Sequence, residues 1–170
     1  MESFDYFKVC KDCNTFCCQK FNAFLAKNEI QRIRNKLKEL DLKFKDNKAN
    51  FFEFKSKNFK NQTIKIRFLK KINGKCLFLK NNKICLIHEV KPFDCKLWPL
   101  TFDYFVEENT LIIYLGMCPL TNELPNSWIE STIQKIEEEL KKWDKNELLS
   151  YSLMSDLENY KIIKKIPNFL

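Results

Sequence analysis

Eight cysteines carry the chemistry this chain can offer: Cys10, Cys13, Cys17, Cys18, Cys76, Cys85, Cys95 and Cys118. Ionised thiols are soft ligands, and all-sulfur donor sets select zinc or iron–sulfur clusters. The Cys10-x2-Cys13 spacing lets two thiolates converge on one tetrahedral metal or one cluster iron. Cys17 and Cys18 are adjacent, so their side chains diverge and serve two metals, or one metal and something else. Four cysteines within the nine residues 10–18 are too dense for ordinary core packing. Cys76, Cys85 and Cys95 follow one per predicted element, and Cys118 comes after a second predicted hairpin. Taken alone, Cys118 reads equally well as a buried core cysteine. Each cysteine is expected in or beside a turn, strand end or loop. That distribution suits a shared centre built from the N-terminal segment and the hairpin region.

All eight are metal-ligand candidates, and no residue stands out as catalytic. Structural zinc usually draws on two short cysteine knuckles, whereas this chain has one. The wide spacing of the later cysteines suits the dispersed ligands of a cluster, so a cubane 4Fe–4S centre is favoured, with zinc as the alternative. Phe16, Phe78 and Trp98 could shield it from solvent, although such aromatics are more often plain core. Eight thiols also suffice for two centres.

Other chemistries lack their residues. One histidine, His88, excludes sites that need two imidazoles. It is read as a ligand, a proton donor or a strand-end residue. Two glycines, Gly74 and Gly116, cannot form a glycine-rich phosphate loop. Glu137, Glu138 and Glu139 read as a solvated helix run. Trp128 and Trp143 read as core on a helix face.

The charge is +8, from 30 Lys and Arg against 22 Asp and Glu, but only three of the cations are arginines. Arginine is the better residue for bidentate phosphate and guanine contacts. Eight thiolates would also cancel the excess. Nucleic acid is therefore a possible partner but not the favoured one, and an unidentified protein partner is expected. The acidic opening Met1-Glu2-Ser3-Phe4-Asp5 has no apolar stretch behind it, and the longest apolar run, Leu111–Leu115, is too short to span a bilayer. A cytoplasmic protein without membrane contact is expected, in a reducing compartment where cysteines bind metal rather than pair.

The elements that must position these thiols follow from periodicity. Asn28-Glu29-Ile30-Gln31 reads as a capping box opening a helix over 29–42, with Ile30, Ile33, Leu37 and Leu40 on one face. Residues 43–61 read as a loop with one short strand near Phe51-Phe52-Glu53-Phe54, and Thr63–Leu69 as a half-buried strand. Lys75–Leu79 and Ile84–His88 form a predicted hairpin around Asn81-Asn82, and Thr101–Val106 and Thr110–Leu115 a second around Glu107-Glu108-Asn109. Between them Pro92 and Pro99 bracket Cys95 in a predicted loop. Ser127-Trp128-Ile129-Glu130 reads as a second capping box, with Ile129, Ile133, Ile136, Leu140 and Trp143 on one face. A last helix is expected near 146–160. The expected fold class is α+β: small antiparallel hairpins with flanking helices around a cysteine-ligated metal centre. Residues 1–125 form the metal-binding domain, and 126–170 a helical extension packed on it.

In this order the motifs resemble the CxxCxxCC zinc- or iron-chelating domains, the YkgJ-type cysteine-cluster proteins. That pattern runs from an N-terminal cysteine cluster through C-x-F-L, C-x-I-Y, R-P and C-R-x-F/W-P to a late cysteine. Here it reads Cys10-x2-Cys13-x3-Cys17-Cys18, Cys76-Leu77-Phe78-Leu79, Cys85-Leu86-Ile87-His88, Lys91-Pro92, Cys95-Lys96-Leu97-Trp98-Pro99 and Cys118. One extra residue separates Cys13 from Cys17. His88 replaces the usual tyrosine, and Lys91 and Lys96 replace arginines. The resemblance covers about residues 10–120 and implies a metal site. It leaves three functions open: a metal-binding protein using an iron–sulfur cluster for electron transfer, cluster delivery or structure; an enzyme of redox or group-transfer type, including protein modification, using the cluster or a spare thiolate, Cys17 or Cys18; and a zinc-stabilised nucleic-acid module.

Overall fold

The computed structural model describes residues 16–40, 50–81, 84–118 and 121–170, and the fold is α+β as expected. The described residues form two compact units, one from 16–58 and 65–96, the other from 59–64 and 97–170. Cys10 and Cys13, and residues 43–49 of the loop-and-strand segment expected over 43–61, lie outside the described residues. Among those described, no helix is long and apolar enough to cross a membrane.

The first unit opens with the short helix α1 (Phe16–Lys20) and then α2 (Glu29–Glu39). Ile33 and Leu37, one turn apart, bury the inner face of α2 beside Leu25, Phe51, Phe78 and Ile87. The expected Asn28 cap does not form, because Asn28 is itself helical (φ −68°, ψ −16°) and its side chain makes no capping bond. Glu29 does that work instead: its Oε2 accepts the Ala26 amide at 3.0 Å. The expected short strand is the full-length β1 (Phe52–Phe59), paired with β2 (Gln62–Leu69). The segment after α1 lies along β2, with Leu25 N donating to Arg67 O at 3.1 Å and Leu69 N to Ala23 O at 2.8 Å.

The hairpin expected around Asn81-Asn82 forms only over two residues a side, and the residues before it make a second miniature ladder. β3 (Lys71–Ile72) pairs with β4 (Lys75–Cys76), and β5 (Leu79–Lys80) pairs with β6 (Ile84–Cys85). Asn73 (φ 50°) and Gly74 (φ 77°) make the first turn, both in the left-handed region that a two-residue hairpin needs. That turn draws Lys75–Cys76 back onto Lys71–Ile72 and away from the partner expected for them. Asn81 (φ 52°) is left-handed as expected. A 3₁₀ turn (His88–Val90) and the helix α3 (Phe93–Leu97) follow. His88 is therefore not at a strand end, and Cys95 is helical rather than in a loop.

The second unit is a sheet of order β7 (Leu100–Phe105), β8 (Thr110–Leu115), β9 (Lys161–Ile166). The β7–β8 hairpin falls where expected, turning at Asn109 (φ 47°). α4 (Asn126–Leu140) buries Ile133, Ile136 and Leu140, with Trp143 buried in the turn beyond. Its N-cap is Pro125 rather than Ser127, which lies inside the first turn. α5 (Lys145–Ser152) is shorter than expected; Asp144 caps it by accepting the Glu147 amide at 2.8 Å. The chain beyond α5 then adds β9 to β8, which the helical reading missed.

α5 closes over the β7 edge. Tyr104 N donates to Ser152 Oγ at 2.7 Å, and Thr101 Oγ1 and Tyr151 OH share a hydrogen bond of 2.8 Å. The Phe102 and Tyr151 rings stack at 3.9 Å with a 9° interplanar angle, and Trp143 packs edge-on 5.9 Å from Phe102. Phe102 is fully buried, so Phe102→Ala should lower unfolding free energy by about 3–5 kcal/mol. Urea denaturation checks this; a change below about 1 kcal/mol would show that the stack does not anchor α5.

Candidate metal centre

Four elements of the first unit each carry a cysteine within electrostatic reach of Cys95 or bear Cys95 itself. The Asn73-Gly74 turn sets Cys76 opposite Lys71, and the β5–β6 ladder sets Cys85 opposite Leu79. α1 packs against β4 and carries Cys18, while α3 carries Cys95. Cys18, Cys76 and Cys85 all act electrostatically on the Cys95 thiol, so the four sulfurs share one neighbourhood. Cys17 precedes Cys18 on α1 and points about 100° away around the helix. All five side chains are partly buried, and no disulfide joins any two of the described cysteines.

Burial is the leading cause of the thiol shifts. It pushes Cys76 up to about 11, raises Cys85, and drives Cys95 well above its ordinary value, with Asp94 and the neighbouring sulfurs adding to that rise. Opposing this, backbone amides aim at the sulfurs: Phe78 and Leu79 toward Cys76, Ile87 toward Cys85. Lys91 adds a positive charge near Cys85. Lys71 is partly desolvated yet lies beside Cys76 and Cys18, and its Nζ donates to Gln19 O at 2.9 Å, satisfying a carbonyl at the end of α1.

Four neighbouring sulfurs, two of which, Cys76 and Cys85, have amide N–H groups directed at them, suit the chemistry of thiolate-bound zinc or iron, where such outer bonds orient the ligands and tune the centre. Among the described residues, however, no three Cys, His, Asp or Glu side chains stand close enough to enclose an ion. Cys118 belongs to the second unit, where its amide donates to Thr121 Oγ1 at 3.1 Å. His88 is partly buried in the 3₁₀ turn, and its charge acts on Glu89. Residues 9–119 match the family model CxxCxxCC, described as a zinc- or iron-chelating domain. No curated protein and no solved structure matches the chain.

Two carboxylates missed from the sequence fix the helix that bears Cys95. Glu29 Oε1 accepts the Phe93 amide at 2.6 Å, 64 residues away in sequence, and is paired with Arg32 Nη2 at 3.1 Å. In return Asp94 Oδ2 accepts the Phe24 amide at 2.7 Å. The i, i+3 spacing of Glu29 and Arg32 was visible; the reach to Phe93 was not.

Glu29 is 4% exposed. Burial pushes its carboxyl up to about 7 and Asp94 adds to the rise, against the amides of Phe93 and Ala26 and the Arg32 charge. The sign follows from proton counting. Between the ordinary value of 4.5 and about 7 the folded protein holds a proton the unfolded chain has released. Stability should therefore fall by about 3 kcal/mol as pH rises through that window. Glu29→Gln keeps an accepting oxygen and should flatten this slope. Urea unfolding of both proteins between pH 5 and 8 checks it, and parallel curves would refute it.

Proposed function

The chain belongs to the CxxCxxCC family of zinc- or iron-chelating domains, and from that premise we propose that it carries a cysteine-ligated iron–sulfur cluster of the 4Fe–4S type. The neighbourhood of Cys18, Cys76, Cys85 and Cys95, one thiol from each of four elements, is the observation that carries this reading. Cys10, Cys13, Cys17 and Cys118 complete the ligand pool, enough for a second centre. Such a cluster supplies one-electron transfer, or iron and sulfide for delivery, or a cross-link that holds the unit together.

The chain's own part is to prepare sulfur. The amides of Phe78, Leu79 and Ile87 stabilise negative charge on Cys76 and Cys85, and Lys71 and Lys91 add positive charge beside them. The partial dehydration that raises the thiol pKa values disfavours bare thiolates, so loading must drive protons off. Zinc is the second reading, because a four-sulfur donor set suits it equally by softness and geometry. Reduced thiols of this kind fit the reducing cytoplasm.

The test is metal and sulfide analysis with a visible spectrum, on full-length protein purified without oxygen. A brown protein with matched iron and acid-labile sulfide is expected. Cys76→Ser and Cys95→Ser should each lower bound iron at least about tenfold, as loss of one ligand from a four-ligand centre does. Colourless protein holding zinc would replace the cluster with the second reading, and protein with no metal would overturn both.

A further inference from the structure

Nine residues, 86–94, separate Cys85 on β6 from Cys95 on α3, and only the 3₁₀ turn and the opening of α3 give them regular structure. Val90 N donates to Ile87 O at 2.9 Å and Lys96 N to Pro92 O at 3.2 Å. A span with so few bonds of its own opens easily unless another element holds it. The β5–β6 ladder holds Cys85 by itself, whereas α3 has no strand partner to hold Cys95.

α2 supplies that hold along the length of the span. Glu29, Arg32 and Lys36 are three and four residues apart, so they form one stripe on the helix. In that order they reach Phe93, Lys91 and Glu89. Glu29 Oε1 accepts the Phe93 amide at 2.6 Å, Arg32 Nη2 donates to Lys91 O at 3.2 Å, and Lys36 Nζ donates to Glu89 Oε2 at 2.7 Å. The helix and the segment thus run antiparallel, bonded at alternate residues of the segment. The lengths agree: the stripe rises about 10 Å, and four residues of chain reach at most about 14 Å when fully extended. A segment that is part 3₁₀ turn and part extended, as at Lys91 (φ −56°, ψ 151°), meets it rung for rung.

Apolar contact backs the rungs. Ile33 and Leu37 of α2 share the core with Ile87, and Ile30 and Val90 pack against it. The rungs are unequal, however. Glu29 is buried and also holds the Ala26 amide and Arg32, while Lys36 and Glu89 pair in solvent. The strongest rung therefore lies two residues from Cys95, and Asp94 Oδ2 reinforces it by accepting the Phe24 amide at 2.7 Å.

We infer that Glu29, Arg32 and Lys36 form a polar splint that positions Cys95 for the metal, with Glu29 as its decisive rung. This rests on the reading of the cysteines as metal ligands. The three residues act through the backbone of 89–93, so they are positioning residues and not ligands.

The experiment takes full-length protein purified without oxygen, adds excess EDTA, and follows the metal remaining on the protein, with the stability of each variant measured in urea. Glu29→Ala should lose metal about 10–100 times faster than the native protein, as removal of an outer-shell partner does. Glu29→Gln, which keeps an oxygen for the Phe93 amide, should recover most of the retention. Arg32→Gln should speed loss about tenfold, and it carries the test where Glu29→Ala does not fold. Lys36→Gln should stay within about threefold, as exposed pairs do. Leu69→Ala removes core packing on β2, outside the splint. It should destabilise the protein at least as much as Glu29→Ala yet release metal more slowly. Native retention in both Glu29→Ala and Arg32→Gln, faster loss from Lys36→Gln than from either, or release that follows stability alone would each overturn the inference while leaving the metal reading intact. Native protein that holds no metal would overturn both.

Discussion

Sulfur atoms gathered in a partly dehydrated corner repel one another as soon as they ionise, and the first unit is organised around that constraint. Burial raises the thiols of Cys76, Cys85 and Cys95, and each neighbouring sulfur raises Cys95 further. Amides from Phe78, Leu79 and Ile87 and the ammonium groups of Lys71 and Lys91 soften the repulsion without removing it. A multivalent cation would invert this balance, because the charges that oppose one another would then all face positive charge. The same inversion explains why so many short elements suffice. Two-residue ladders such as β3–β4 and β5–β6 bury little apolar surface and are marginal alone. Their task is to aim sulfur and amides, and a metal bound to them would add the stabilisation that their size withholds.

Apolar packing holds the rest of that unit in place around the thiols. Leu25, Ile33, Phe51, Leu69, Phe78 and Ile87 form the buried cluster, and Cys76, Cys85 and Cys95 pack against its margin. Phe78 joins the two roles, since its ring is in the core while its amide is directed at Cys76. Glu29 joins two more. It anchors the start of α2 through Ala26 and reaches the first amide of α3, so the helix carrying Ile33 and the helix carrying Cys95 share one carboxylate. Asp94 returns the contact to Phe24, whose neighbours Ala23 and Leu25 are bonded to β2. A displacement of α2 would therefore be felt at Cys95 through hydrogen bonds alone.

Periodic signals were legible in the sequence, and signals that depend on distant partners were not. The β7–β8 hairpin and the buried face of α4 came straight from alternation and helical spacing, because each buries one continuous apolar surface. Both capping boxes failed for one reason: Ser, Thr and Asn mark a cap only where the preceding chain is extended, and Asn28 is helical while Pro125 starts α4 earlier. The Asn73-Gly74 pair is a strong hairpin signal that was available, and weighing it ahead of Asn81-Asn82 would have found the β3–β4 ladder. β9 was hidden because Lys161–Ile166 does not alternate; its place depends on the open edge of β8. Cys95 was expected in a loop because prolines flank it. Pro92 in fact precedes the first turn of α3, a position where a missing amide is tolerated.

Charge on this molecule is arranged by region rather than by total. The hairpin residues Lys55, Lys57 and Lys65 belong to the same unit as the four gathered sulfurs, so the lysine excess and the thiols lie within one electrostatic body. Four thiolates without metal would offset half of the +8 excess, and a bound cation would restore part of it. Across a Debye length of about 8 Å at physiological salt, this change fades quickly. The cations whose charge already acts on sulfur, Lys71 and Lys91, would respond most. The exposed lysines of β1 and β2 would respond less, and their field would be nearly constant. On this arrangement sulfur answers to metal and proton, while the field of the exposed lysines answers chiefly to salt.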